Sequence, residues 1–412
     1  MAEPHLTTHA PRRIAKHTEK QHRRIPTAVM VLAFVFVAGI GFVAGMFAKY
    51  PYDSSFNGLL GRNSLDLSSV QETYQALKAN YDGTIDDAKL IEGANKGMVN
   101  ALGDQYTIFM NQQESTQFDD SLTGNIGGGI GVEVGMRNNA PTVVRVLQDN
   151  PAEKAGLQIN DVITQVNGTS VKDMTLNDVV AKIRGDAGTT VKLTVSRGGN
   201  EMSFSITRAV VNNPSAYGEV KGGIGVLTVT RFDDNTGALA RQVAQDFKKQ
   251  NVKGVILDLR GNGGGYVTAA QEVAGIWLDN QLVVTEKRGS EVVDSLNSTG
   301  APILNGVPTV VLVNASSASA SEIVSGALHD HKAATLVGET TFGKGSVQKL
   351  LSLTDGATLK VTIARWYTPD GINISEKGIT PDKTVQRTVD DINAGRDPQL
   401  DAAMTSLGVV VN

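Results

Sequence analysis

The chain has 412 residues, 41% of them hydrophobic and 19% charged, with a formal net charge of −4 and no cysteine. This is too long for one ordinary domain, and the balance is that of folded rather than disordered chains. The lack of cysteine excludes disulfides, thiolate zinc sites and a cysteine nucleophile, and the near-neutral charge leaves no footprint for nucleic acid.

The first 24 residues carry Arg12, Arg13, Lys16, Lys20, Arg23 and Arg24 and read as a basic cytoplasmic tail, 1–24. Residues 25–48 contain no charged side chain. At about 1.5 Å rise per residue such a run crosses a ~30 Å hydrocarbon layer. Basic residues stay on the cytoplasmic side, so the reading is a single-pass plasma-membrane anchor with everything after Lys49 extracytoplasmic. A cleaved signal peptide is the rival. The apolar run exceeds the ~7–15 residues of a usual signal core, and no small-x-small site closes it near Lys49.

Residues 53–63 form a polar, Gly- and Asn-containing linker. Helical spacing follows in a small helical region, 64–118, with Leu67, Val70, Tyr74, Leu77 and Tyr81 at three- and four-residue steps and a second run at Leu90, Met98 and Leu102. Residues 124–209 change to short alternating runs at 142–146, 161–166 and 191–195 between Gly, Asn and Asp turns, with a helix over 177–184. From 210 to 390 apolar strands alternate with longer helices: strands at 225–229, 255–259 and 309–313, helices at 238–250, 268–278 and 320–329. Strands this apolar are covered on both faces, and strands at 335–337 and 359–366 are expected to close the same sheet. Residues 391–412 end the chain as a helical tail. The fold class is multidomain α/β.

Three segments carry chemistry. In Asn314-Ala315-Ser316-Ser317-Ala318-Ser319-Ala320-Ser321-Glu322 an apolar strand runs through small residues into a helix, whose unpaired N–H groups suit an attacking serine and its oxyanion. Taken alone, the segment reads more readily as serines that cap the helix. In Thr341-Phe342-Gly343-Lys344-Gly345-Ser346-Val347-Gln348 a glycine-flanked lysine lies between apolar strands, where desolvation would free its amine to accept a proton. A solvated loop lysine is the alternative. Gly338, Gly343 and Lys344 also have phosphate-loop spacing, but Gly345 stands where that loop needs Ser or Thr, and 347–351 alternates like a strand. Finally, Asp258-Leu259-Arg260-Gly261-Asn262-Gly263-Gly264-Gly265 ends a strand in a glycine turn whose N–H groups can approach a ligand closely, or which is a turn and nothing more. Of six histidines, His5, His9, His17 and His22 fall on the cytoplasmic side. His329 and His331 sit about 15 Å along the helix from Ser319, so lysine is the better base.

Together, D-L-R-x-N-G-G-G, S-A-S-A-S-E and T-F-G-K-G-x-V-Q in this order resemble the carboxyl-terminal processing peptidases, or tail-specific proteases, over most of the chain after the anchor. The resemblance implies Ser319 as nucleophile, Lys344 as base, Gln348 as the residue orienting the lysine, and an oxyanion hole of the Ala320 N–H with one of Gly263 to Gly265, Gly265 first. Glu322 matches a supporting position. In this family a PDZ domain precedes the peptidase, and Gly129, Ile130, Gly131 and Val132 stand where its carboxylate-binding loop would be. Val180 is expected to shape the same pocket, although ordinary core packing explains these apolar side chains too. The implied partners are proteins with an exposed C-terminus and, as in relatives, a second copy paired through the 64–110 helices. No metal or organic cofactor is implied. The competing class is a silent tail-binding scaffold, and between the two lies an enzyme that rests until a tail moves the PDZ domain.

Overall fold

A computed structural model describes residues 65–409. The basic tail and the 25–48 span lie outside the described residues, among which no helix is long and apolar enough to cross a membrane. The chain divides into two compact units, at Asp86. In the first, α1 (Ser68–Asn80) buries no residue, and Leu67, Val70 and Leu77 remain exposed.

The second unit opens with α2 (Asp87–Asn100), β1 (Ile108–Met110) and α3 (Gln112–Thr123), so the region predicted as helical also contains a strand. Asn111 starts α3 with a capping box: its side chain accepts from the Glu114 N–H while the Glu114 carboxylate accepts from the Asn111 N–H.

The β-rich domain consists of β2 (Val132–Arg137), β3 (Ala140–Val146), β4 (Val162–Val166), α4 (Leu176–Ile183), β5 (Thr190–Arg197) and β6 (Asn200–Thr207). Its strands pair antiparallel in that order, which leaves β2 at the edge of the sheet. Alternate residues such as Val191, Leu193 and Val195 point into a core shared with Ile163, Val179 and Ile183. Thr175 caps α4 with a second capping box.

The last domain is built on β7 (Ala216–Lys221), β8 (Ile224–Val229), α5 (Thr236–Lys249), β9 (Gly254–Asp258), α6 (Val267–Ala274), β10 (Leu282–Arg288), β11 (Glu291–Asn297), β12 (Thr309–Val313), α7 (Ala320–Asp330), β13 (Thr335–Gly338), β14 (Ser346–Ser352), β15 (Thr358–Tyr367) and β16 (Lys383–Thr384). A six-stranded sheet runs β7-β8-β9-β12-β13-β16, parallel except for the β7–β8 pair. As the continuous apolar runs demand, it is covered on both faces. Helices α5 to α7 bury one face with Leu257, Val311 and Val313, and α9 (Pro398–Ser406) buries the other through Ala403 and Met404 against Ile256 and Leu312. The terminal helix is thus part of this core rather than an appendage, while α8 (Val389–Ala394) precedes it.

One expectation is corrected. The 359–366 segment does not close the parallel sheet; β15 is the centre of a second, five-stranded sheet, β1-β15-β10-β11 with β14 also paired to β15. Its alternation identifies a strand, but strand partners depend on the β14–β15 hairpin and the return of β10.

The PDZ-like domain is joined to this body by polar contacts. The Arg145 guanidinium lies 4.2 Å from the Tyr217 ring centroid, and the Asn138 N–H donates to Asn393 Oδ1 at 3.2 Å.

Candidate active site

Strand β12 and helix α7 meet at Ser319, whose backbone takes φ 55° and ψ −114°. A non-glycine residue at positive φ costs free energy and persists only where its surroundings enforce it. Here they do. Asn262 accepts the Ala318 N–H and the Ser321 hydroxyl on its carbonyl, donates to Val229 O, and accepts the Gly264 N–H on its side chain at 2.9 Å. Ser317 Oγ donates to Leu259 O at 2.8 Å. Both Ser317 and Ser321 are buried and donate to carbonyls of the 259–262 turn, while the N-cap position of α7 is Ser319 itself. Ser319 instead lines a cleft of about 1500 Å³.

The glycine turn lies directly against the turn that holds Ser319. A Cβ on Gly264, at φ +105°, would come within 2.7 Å of Ser319 Cβ and 2.8 Å of Ala318 O, which no other residue tolerates. The Gly264 N–H is taken by Asn262, Gly265 packs on the Phe232 backbone, and Gly263 and Gly265 line the cleft with Ser319. Ala320 is the first residue of α7, where an N–H has no partner within its own helix.

Lys344 lines the same cleft. Burial, then the charge of Lys360, hold its ammonium below the ordinary lysine range, against the opposing pull of Glu322. Its carbonyl is held by the Trp366 indole N–H at 2.8 Å, and the strand β14 that follows is the alternative to a phosphate-loop helix. Gln348 also lines the cleft, and its amide donates to Ser346 Oγ at 2.7 Å and Thr362 Oγ1 at 3.4 Å, Lys344 not being among its partners.

Glu322 ties the two segments together. Its fully buried carboxylate accepts the Ser319 N–H at 2.9 Å and the Lys344 N–H at 3.0 Å on one oxygen. The other oxygen takes the Gly343 N–H at 2.7 Å and the Thr341 hydroxyl at 2.6 Å. Burial raises its pKa against the opposing pull of the four donors, and both oxygens accept two hydrogen bonds each, as a carboxylate's do. No hydrogen bond joins the Ser319 hydroxyl to the Lys344 amine among the described residues. His329 bonds to Asp330 and Asp382 and His331 to Leu282 O, at the far end of α7 and away from the cleft.

The chain from 223 to 385 matches the model of peptidase family S41, residues 128–207 that of a PDZ domain, and 54–114 that of the activating protease CtpB N-terminal domain. Over 361 residues it is 37% identical to the carboxy-terminal processing protease CtpA of Bacillus subtilis, covering 86% of this chain and 74% of that protein. The chain belongs to peptidase family S41, among the carboxy-terminal processing proteases. It is a serine-type peptidase with a PDZ domain. This S41 protease is also 35% identical over 374 residues to a CtpA-like serine protease of Staphylococcus haemolyticus, covering 90% of this chain and 75% of that one. Among solved structures, the photosystem II D1 C-terminal processing protease shares 31% identity at a TM-score of 0.50, covering 83% of this chain and 90% of that one.

In the PDZ domain, Gly129, Ile130, Gly131, Val132 and Val180 line a pocket of about 60 Å³ with Arg184. Ile130 is also a core residue of the domain. Val132, Val180 and Arg184 also line the cleft that holds Ser319 and Lys344, so the two cavities adjoin. Sequence reasoning passed over Trp366, Lys360 and Tyr106, whose ring centroid is 5.8 Å from Lys344 Nζ. The aromatic set in a Gly-Asp-Gln-Tyr-Thr turn between helix and strand was the available signal for Tyr106.

Proposed function

We propose that this S41 protease is a membrane-anchored endopeptidase that cleaves proteins near their C-termini by Ser–Lys acyl-enzyme chemistry. The observation that carries this reading is the Glu322 carboxylate, which bonds the backbones of Ser319 and Lys344 and so holds nucleophile and base to one cleft. Ser319 Oγ attacks the scissile carbonyl while the neutral Lys344 amine takes its proton. The Ala320 and Gly265 N–H groups receive the oxyanion. Lys344 then protonates the leaving amine, and water, deprotonated by the same amine, hydrolyses the ester. Gln348, which the family resemblance makes the residue orienting the lysine, lines the same cleft from β14.

Only the unprotonated amine accepts a proton, so kcat/KM is expected to rise with pH through an acid limb. Because burial and the Lys360 charge lower the Lys344 pKa, that limb should lie below the ordinary lysine value of about 10.4. A pH–rate profile on an unstructured protein measures it, and a limb at or above the ordinary value would sink the assignment of Lys344.

The PDZ domain is proposed to bind substrate tails and gate the site. Strand β2 is an open edge beside α4, suited to an added peptide strand with its carboxylate on the Gly129–Val132 N–H groups, and the pocket shares Val132, Val180 and Arg184 with the cleft. The absence of a Ser319–Lys344 hydrogen bond suits an enzyme whose alignment awaits the tail. A peptide with a free C-terminal carboxylate is therefore expected to raise the rate on a separate substrate, and its C-terminal amide is not; equal rates with both would remove the gating role.

The basic tail and uncharged 25–48 run support anchoring with the protease domains extracytoplasmic. The exposed Leu67, Val70 and Leu77 of α1 support pairing of two copies.

A further inference from the structure

The loop between α2 and β1 is built to a degree that a plain connection does not require. The Asp104 carboxylate accepts the Tyr106 N–H at 3.0 Å and the Thr107 hydroxyl at 2.6 Å, and the Asp104 carbonyl accepts the Thr107 N–H at 3.2 Å. Thr107, itself buried, accepts the Thr362 N–H on Oγ1 at 3.0 Å, which bolts the loop to β15. Thr362 Oγ1 in turn accepts from Gln348. From this anchored loop the Tyr106 ring reaches Lys344 Nζ, 5.8 Å from the ring centroid.

We propose that Tyr106 is a positioning residue for Lys344, its ring closing one side of the lysine to water. The proposal rests on the reading of Lys344 as the base. Tyr106 lies ahead of the PDZ domain and outside residues 223–385, so part of the base's surroundings comes from a distant stretch of chain.

A ring beside an ammonium acts in two directions. Its quadrupole attracts the charged form, an effect that fades toward about 6 Å, whereas the exclusion of water disfavours that form. At 5.8 Å the attraction is at its outer limit. Dehydration wins, in agreement with burial being the leading influence on Lys344. The other charged groups facing this amine are Lys360 of β15, which acts with dehydration, and Glu322 of α7, which acts against it. Tyr106 does not compete for the proton: burial, then the charges of Glu322, Glu376 and Asp104, push its phenol up.

The test compares kcat/KM against pH for full-length protein on β-casein. For Tyr106→Ala the acid limb moves to higher pH, with about tenfold lost below the limb for each unit of movement and recovery in alkali. Tyr106→Phe, which keeps the ring, brings the limb back toward the wild-type position. Thr107→Val, which takes the acceptor from the Thr362 N–H, moves it in the same direction as Tyr106→Ala. A limb that stays in place, moves to lower pH, or is accompanied by a uniform loss at every pH overturns the proposal. Lys344→Ala is run alongside: if it still cleaves, the base assignment itself has failed, whereas an inactive Lys344→Ala beside an unmoved Tyr106→Ala limb overturns only the role of Tyr106.

Discussion

Replacing Ser319 by alanine is expected to abolish peptide-bond cleavage, with kcat lowered by a factor on the order of 10⁴ or more, as for nucleophiles in other serine peptidases. Without the hydroxyl no acyl-enzyme can form, and what remains is binding and oxyanion stabilisation. Lys344→Ala is expected to cost a similar factor, since an unassisted serine hydroxyl is a weak nucleophile at neutral pH. The two residues act as one unit, so the double variant should be no worse than either single one. Neither change should harm folding. Ser319 keeps its backbone bond to Glu322, and removing the half-buried ammonium of Lys344 removes a desolvation cost. Digestion of an unstructured protein, followed by mass spectrometry of the products, reads the result. Full proteolysis by both single variants would leave the Ser–Lys mechanism without support.

Glu322→Ala is expected to damage stability and activity together. It leaves four donors facing an apolar void: the N–H groups of Ser319, Gly343 and Lys344 and the Thr341 hydroxyl. Removing one side of a buried, charged hydrogen-bond cluster costs about 3–5 kcal/mol. For a domain of this size that corresponds to a melting temperature lower by roughly 10 °C. Misplacing nucleophile against base by as little as about 1 Å can cost on the order of 10²-fold in rate. Glu322→Gln separates the effects. It fills the volume but turns an NH₂ group toward two donors, so it should recover much of the stability while activity stays low. Thermal unfolding and digestion rates on the same preparations check both. A Glu322→Gln enzyme of wild-type rate would show that the carboxylate does not hold the two segments in register.

Much of the site was legible in local pattern. Small residues between an apolar strand and a helix marked the turn that contains Ser319, and flanking glycines marked Lys344. Which of Ser316, Ser317, Ser319 and Ser321 faces a substrate was not legible from the segment alone. It depends on Leu259 O and Asn262 O, almost 60 residues earlier, which bond Ser317 and Ser321 and leave Ser319 at the cleft. The dehydration of Lys344 was only a plausible consequence of its neighbours in sequence. In the fold the charge of Lys360 from β15 adds to burial, and the ring of Tyr106, from ahead of the PDZ domain, lies 5.8 Å from the amine. Gln348 was placed beside the lysine by resemblance, and the structure puts it in the same cleft with its amide bonded to Ser346 and Thr362.

By itself the sequence determined the four inner strands and three helices of the parallel sheet, the covering of both its faces and the three motifs of the site. These follow from periodicity, glycine turns and caps, which act over a few residues and therefore leave a local record. Tertiary structure alone decided that β15 builds a second sheet, that α9 belongs to the core, that Glu322 accepts from both catalytic segments, and that Tyr106 comes to rest beside Lys344. Each of these is a contact between chain segments that packing brings together, and no periodicity within either segment specifies its distant partner.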